Sequence, residues 1–228
     1  MSKIFDGLIK SDKRRCNPEN NPKKELHNLI LVNFPQYYIT LVSIIQAAAF
    51  GFFLLQLQPD FVDNNGVIRN SIPLIFLCLS TFFVLIEIWY EYMMGALAMK
   101  WFPKIFDSII PFLLGIFEAL MILYLGSNNI PGWYVTLSLV CFCSFFAFLN
   151  MYRGCNCHYE ENKVILESIQ DDPNKTLCII LISGFFFLLC GIFEYLYHAL
   201  TVYIALLSFL IIVTFVIRRH YYWNRILE

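Results

Sequence analysis

Long runs of hydrophobic residues, separated by short polar stretches, make up most of the chain after about residue 35. A helix needs about 20 largely apolar residues to cross the roughly 30 Å hydrocarbon core of a bilayer. The pattern therefore predicts an all-α, polytopic membrane bundle of about six transmembrane helices, arranged as three hairpins. The last two runs adjoin at His198, where one long bent helix is the alternative. The six runs are roughly 36–57, 72–97, 105–126, 132–152, 177–197 and 199–218.

Basic residues are distributed very unevenly around these runs. Of the 16 lysines and arginines, all but Arg69 lie in alternate segments: before the first run, between runs two and three, between runs four and five, and after run six. The positive-inside rule assigns these segments and both termini to the cytoplasm. The predicted organisation is a basic N-terminal segment 1–34, a membrane domain 35–218 with a cytoplasmic loop 153–175, and a cytoplasmic tail 219–228.

The N-terminal segment contains an apolar stripe between lysines. At helical spacing such a stripe favours a short interfacial helix on the cytoplasmic leaflet, with a frayed tail as the alternative. The residues of the stripe are Ile4, Phe5, Leu8 and Ile9.

The composition agrees with a membrane location. The chain is 59% hydrophobic and only 14% charged, whereas a soluble domain has about 25% charged residues. No strongly basic face points to nucleic acid as a partner. The content of Ile, Asn, Lys and Phe is typical of an AT-rich genome. A bacterial inner (plasma) membrane is taken as the default location and is not deduced from this composition.

Ionisable side chains inside the runs are the candidates for function. Each costs at least about 2.5–3.5 kcal/mol near the bilayer centre and therefore needs a reason. Helical spacing places Glu87 one turn from Glu91, Asp107 three turns from Glu118, and Glu194 one turn from His198. One hypothesis is a polar pathway through the bundle, in which one group of these side chains lies towards the cytoplasm and a second group lies towards the outside. The alternative is hydrogen bonding between helices. The cytoplasmic-side group is Glu87, Glu91 and Asp107, and the outer group is Glu118, Glu194 and His198.

The connection after run four contains Cys155, Cys157 and His158 in a C-x-C-H arrangement. Thiolate and imidazole are zinc ligands, but the spacing is tight and a fourth local ligand is missing. We therefore expect no metal site, and these cysteines are equally suited to acylation. The apolar positions of 162–170 predict a lid that packs against the bundle.

A short sequence recurs in runs three and five. Gly115–Glu118 matches Gly191–Glu194, and a second alignment pairs Ser80–Leu97 with Ser183–Leu200. The first match suggests duplicated hairpins and the second an inverted repeat. The two cannot share one ancestry, and chance similarity is the favoured explanation in a chain so rich in Phe and Leu.

Motifs of catalysis are absent from the sequence. There is no G-x-S-x-G elbow, H-E-x-x-H motif or P-loop, and no cofactor is indicated. The leading hypothesis is a non-enzymatic, channel- or transport-like subunit in a homo-oligomer. The intramembrane acidic side chains described above would form a stripe that lines its pathway. The alternative is a membrane anchor or sensor that recruits a cytoplasmic protein partner. Its docking residues would be Arg153, Lys163, Arg218 and Arg219.

Overall fold

Six long helices form the described part of the chain. The computed structural model describes residues 23–61, 72–101, 104–160, 162–163, 166, 173–197 and 200–227, and no strand occurs in these ranges. Every one of the six helices contains a segment that is long and apolar enough to cross a membrane. The prediction of six spans is confirmed, and the last two runs are separate helices. The helices are α1 (Lys23–Phe61), α2 (Ile72–Ala98), α3 (Ile105–Gly126), α4 (Ile130–Cys157), α5 (Pro173–Leu196) and α6 (Thr201–Leu227).

The first and last helices extend beyond the apolar runs that predicted them. Helix α1 begins at Lys23 and α6 continues to Leu227, because a helix satisfies its own backbone in water as well as in lipid. The N-terminal apolar stripe and His198 lie outside the described residues.

A tight turn joins α3 to α4. Asn128 has a positive φ of 54°, a conformation that asparagine adopts more readily than most residues. The Asn129 side chain accepts a hydrogen bond from the Gly132 backbone N–H at 3.0 Å and so caps α4. Pro131 lies in the first turn of α4, where its missing N–H costs nothing. This local chemistry makes α3 and α4 an antiparallel hairpin.

The helices form a ring that does not follow chain order. The main contacts connect them in the order α5, α4, α3, α1, α2, α6, and α2 also touches α3. A sparse contact between α5 and α6 completes the ring. Although only four residues separate α5 from α6 in sequence, the two helices are sparsely packed against each other, and we call this boundary the α5–α6 seam.

Glycines permit the close approach of α5 to α4. A Cβ atom at Gly184 would lie 2.9 Å from the Phe142 ring, and one at Gly191 would lie 3.2 Å from the Pro131 carbonyl oxygen. Small residues at such contacts allow van der Waals packing between helices in a membrane. The α4–α5 contact thus depends on these two positions.

The two ends of the bundle differ in charge. Lys100, Lys104, Arg153 and Arg218 lie at one end, which we call the basic end, and the α3–α4 turn lies at the opposite end. Since the number of spans is even, Lys23 and Leu227 are both on the side of the basic end. Its assignment to the cytoplasm remains a prediction from the sequence.

Candidate functional site

A cavity of about 170 Å³ lies inside the ring, and we call it the chamber. All six helices contribute to its wall, which is mainly apolar and aromatic. Three carboxylates and one guanidinium interrupt that apolar surface: Glu87, Glu91, Asp107 and Arg219. The cytoplasmic-side acidic group predicted from the sequence therefore converges on one cavity. Each helix contributes at least one side chain to the wall. Examples, in the order α1 to α6, are Tyr38, Glu87, Asp107, Ala147, Ser183 and Phe215.

Towards the opposite end, the interior is filled by a pair of aromatic side chains that we call the aromatic plug. Trp133 and Tyr134 are both 0% exposed, and their rings meet edge to face with centroids 5.0 Å apart. Trp133 Nε1 donates to Thr81 Oγ1 at 2.9 Å, and Ser208 Oγ donates to the Tyr134 oxygen at 3.3 Å. These bonds fix the plug to α2 and α6, because a buried indole N–H or phenol needs a polar partner.

Towards the basic end, a second cluster closes the interior, which we call the basic-end cluster. Its buried members include Tyr38, Trp101, Cys155, Leu166 and Trp223. Tyr38 and Trp101 also line the chamber, so the cluster forms one of its walls. Leu166 comes from the connection after α4. Val164, Ile165 and Ile169, on which the predicted lid rests, lie outside the described residues.

Asn162 holds that connection onto the bundle. Its side chain is buried, accepts from the Lys100 backbone N–H at 2.7 Å, and donates to the Lys100 carbonyl oxygen at 2.6 Å. The same amide also contacts the carbonyl oxygens of Cys155 at 3.2 Å and His158 at 3.1 Å. One side chain thereby links the α2–α3 connection to the end of α4.

Glu91 and Arg219 form an ion pair across the α2–α6 contact. Arg219 Nε donates to Glu91 Oε1 at 2.8 Å, and Arg219 Nη2 donates to Glu91 Oε2. Trp223 Nε1 donates to Glu91 Oε1 at 2.9 Å. The bidentate geometry directs both donors at one carboxylate, which is the strong form of this interaction. The pair lies where the chamber meets the basic-end cluster.

Glu87 lies one turn deeper along α2 than Glu91 and lines the same chamber. Its Oε1 atom is buried and has no hydrogen-bond partner within the described ranges. The Glu87 side chain as a whole is half-buried, but a buried carboxylate oxygen without a partner is costly and requires an explanation. Glu87 is therefore the chamber carboxylate whose binding capacity is not used by the described part of the chain.

Asp107, by contrast, is well coordinated at the start of α3. One carboxylate oxygen accepts from the Lys104 backbone N–H at 2.6 Å, and the other accepts from Asn150 Nδ2 at 2.6 Å. An acidic side chain in the first turn of a helix that bonds back to the cap residue stabilises the helix start. Asp107 thus joins α3 to α4 at the edge of the chamber.

Glu118 and Glu194 do not line the chamber. Glu118 is 0% exposed and accepts from Gln46 Nε2 at 2.7 Å, which joins α3 to α1. Glu194 accepts from Thr201 Oγ1, which joins the end of α5 to the start of α6. Both contacts have the geometry of interhelical hydrogen bonding. The structure therefore does not bring the inner and outer acidic groups into one cavity.

The other candidate residues lie at the basic end. Cys155 is buried with its Sγ 3.4 Å from Met99 Sδ, while Cys157 and His158 are half-buried. Across the described ranges, no group of three His, Cys, Asp or Glu side chains could hold a metal ion. Of the proposed docking residues, Lys163 and Arg218 are exposed, Arg153 is half-buried, and Arg219 is buried in the pair with Glu91. Arg219 therefore lies in the interior of the bundle.

Several residues of this site were not identified from the sequence. Three of them are polar partners of acidic side chains, and the fourth, Asn162, bonds backbone groups. Their positions become neighbours only in the folded bundle. A signal was available for one pair, since Glu91 and Arg219 both lie near the basic ends of their apolar runs, and charges in membranes are usually paired. The missed residues are Gln46, Asn150, Asn162 and Trp223.

Comparisons with known proteins add nothing to these observations. No protein family, curated protein or solved structure matches the chain.

Proposed function

We propose that the protein is a transport-type membrane protein that binds a small molecule in the chamber and releases it on either side of the bilayer. The observation that carries this proposal is the position of the chamber. It lies inside a ring of six helices, with charged side chains in its wall, between two separate closures. The chamber lies in the half of the bundle nearer the basic end, since Trp101 and Asp107 line it. A site inside a bundle with packed side chains towards each end is compatible with alternating access.

A carrier fits this arrangement better than an open channel. Conduction needs a continuous route, whereas Trp133 and Tyr134 fill the interior on one side of the chamber and the basic-end cluster fills it on the other. Glu118 and Glu194, which would extend a polar route, are engaged between helices instead. The proposal therefore assigns movement of the substrate to the opening of one closure at a time.

The proposal includes no chemical reaction. It also places the substrate site within one chain, because residues of all six helices of that chain line the chamber. Assembly into a homo-oligomer is a separate proposal, and the mass of the complex purified gently from its membrane tests it.

A sensor is the second candidate function, and one observation favours it. Arg219 and Trp223 lie on the basic end of α6 and both contact Glu91, which is itself in the chamber wall. A ligand that displaced Glu91 would release the end of α6. That helix would then present Arg218 to a cytoplasmic partner, at the same end of the bundle as the exposed Lys163 of the connection after α4.

Thiol labelling separates the two candidates without knowledge of the substrate. A cysteine-free protein carrying Ser183→Cys, which lies in the chamber wall, is reconstituted into oriented vesicles and exposed to a charged thiosulfonate from one side at a time. A carrier predicts labelling from both sides, because each closure opens in turn. The matched control is Ile122→Cys, a position that is 0% exposed and outside the chamber.

Trp133→Ala extends this test to the plug. Removal of the indole should increase labelling of position 183 from the side opposite the basic end. Labelling from one side alone, unchanged by Trp133→Ala, would contradict transport and leave the sensor as the better explanation.

A further inference from the structure

The size and walls of the chamber limit what it can hold. An apolar protein cavity of about 150 Å³ is large enough for benzene, and the chamber is of similar volume at about 170 Å³. Phe148, Phe187 and Phe215 contribute rings to its wall. A substrate of the proposed transporter would therefore have a compact apolar body of about one ring.

The charges of the chamber are not equally available to a ligand. Glu91 and Arg219 neutralise each other in a bidentate pair, and Asp107 accepts from Lys104 and Asn150. Glu87 makes no hydrogen bond to a described residue, and its Oε1 is buried at the chamber wall. The wall thus presents an apolar surface with one available negative side chain.

From this arrangement we propose that the chamber binds a small amphipathic organic cation, with an aromatic or similarly compact apolar body and a protonated amine that pairs with Glu87. The inference rests on the proposed function and names its substrate class. An ammonium would supply the hydrogen-bond donor that Glu87 Oε1 lacks. The Phe148 ring already lies under the Arg219 guanidinium, and the remaining rings of the wall favour cations at their faces.

An anionic substrate fits the same chamber less well. Among the described residues that line the chamber, Arg219 is the only cationic side chain, and its Nε and Nη2 both donate to Glu91. An anion would have to break this pair and leave Glu91 as an unpaired buried charge, which is strongly unfavourable. A neutral ligand would keep the pair intact but leave Glu87 without a partner.

Three probes with the same apolar body test the substrate class. They are 2-phenylethylamine, the neutral 2-phenylethanol and the anionic 3-phenylpropionate, and their binding to the full-length protein in mild detergent is measured by calorimetry. The proposal predicts that the amine binds at least about tenfold more tightly than the alcohol, and that the propionate binds most weakly.

Substitution of Glu87 tests the assigned contact. Glu87→Gln should weaken binding of the amine by roughly tenfold to a hundredfold, the value of a hydrogen bond to a charged group, and leave the alcohol within about threefold. Glu160→Gln is the matched control, because Glu160 is an exposed acidic residue that does not line the chamber. Ala147→Phe fills the chamber and should block all three probes.

The outcomes separate this inference from the function on which it rests. If the propionate binds as tightly as the amine, or if Ala147→Phe leaves amine binding unchanged, the cation site is wrong. If the amine binds through Glu87 but position 183 is labelled from one side alone, the cation site stands and transport does not. The wild-type ranking of the probes decides the substrate class even if a variant does not fold.

Discussion

Glu91 and Arg219 show how charged side chains are tolerated inside this bundle. The two residues are 128 positions apart in sequence, yet each supplies the counter-charge of the other between α2 and α6. A buried ion pair adds little stability compared with apolar residues of similar size, but removal of one partner leaves an uncompensated charge. The pair therefore constrains how α2 and α6 can associate.

This reasoning predicts a strongly non-additive pair of substitutions. Glu91→Leu or Arg219→Met alone should lower the free energy of unfolding by about 3 kcal/mol, and the double variant should recover most of that loss. Thermal unfolding in mild detergent measures the cycle. Arg218→Met, at the exposed neighbouring position, should change stability by less than about 1 kcal/mol. Additive losses in the double variant would contradict a direct pair.

At the residue scale, the sequence identified the acidic side chains but not their partners. An ionisable residue in an apolar run is visible without a structure, and Glu87, Glu91 and Asp107 do converge on one cavity. Whether a carboxylate faces a cavity or a neighbouring helix depends on the rotation of its helix in the bundle. Glu118 meets Gln46, 72 positions away, and no local pattern in the sequence indicates that contact.

At the scale of the element, close contact between α4 and α5 is set by glycine. Gly191→Leu should lower the free energy of unfolding by about 1–3 kcal/mol, because the new side chain overlaps the Pro131 carbonyl and the Tyr134 side chain. Gly51→Ala is the matched control, since a Cβ there meets nothing within 4 Å. That control should be neutral or stabilising by up to about 1 kcal/mol. An equal loss at Gly51 would contradict the packing explanation, because both substitutions raise helix propensity and only Gly191 has close neighbours.

The connection after α4 gives a second prediction for an element. Asn162→Ala removes the side chain that links Lys100 to the end of α4, and should reduce stability by about 2 kcal/mol or more. It should also speed proteolysis of the connection in vesicles that expose the basic end. Asn156→Ala is the control, because Asn156 makes a local bond to the Tyr152 carbonyl oxygen within α4. An unchanged cleavage rate for Asn162→Ala would mean that the connection is held by other contacts.

The repeated Gly-Ile-Phe-Glu sequence acquires a physical meaning at this scale without proving duplication. In α3, Gly115 faces Ile45 and Glu118 bonds Gln46, both on α1. In α5, Gly191 faces α4 while Glu194 bonds Thr201 on α6. Each copy combines a close approach with an interhelical hydrogen bond, but the neighbouring helices differ. The similarity is thus explained as well by shared packing chemistry as by ancestry.

For the whole molecule, the number of helices was predictable and their arrangement was not. A bilayer demands long apolar segments, so all six helices are visible in the sequence. The order of the ring depends on which faces meet protein and which meet lipid. Both kinds of face are apolar here, as exposed Phe185, Ile192 and Leu210 illustrate. The faces of a helix in lipid therefore differ too little in hydrophobicity to predict that α6 packs on α2 and only sparsely on α5.

Orientation in the membrane is the prediction that belongs to the whole molecule. A reporter active only in the cytoplasm should be active when fused after Glu228 and inactive when inserted after Asn128, in the turn at the opposite end. The charge distribution requires this result if the positive-inside rule holds. The reverse pattern would place the basic end outside, and activity at both sites would contradict the six-span topology.

The α5–α6 seam has a mechanical consequence. Helix α5 ends at Leu196 and α6 begins at Thr201, and Thr201 bonds Glu194 across the seam at that same end. The two helices are therefore joined at the end opposite the basic end, and this junction would act as a hinge between them. Any separation of α5 from α6 about this hinge would be widest at the basic end. A gap between α5 and α6 would thus face the lipid of the basic-end leaflet and narrow towards the opposite end.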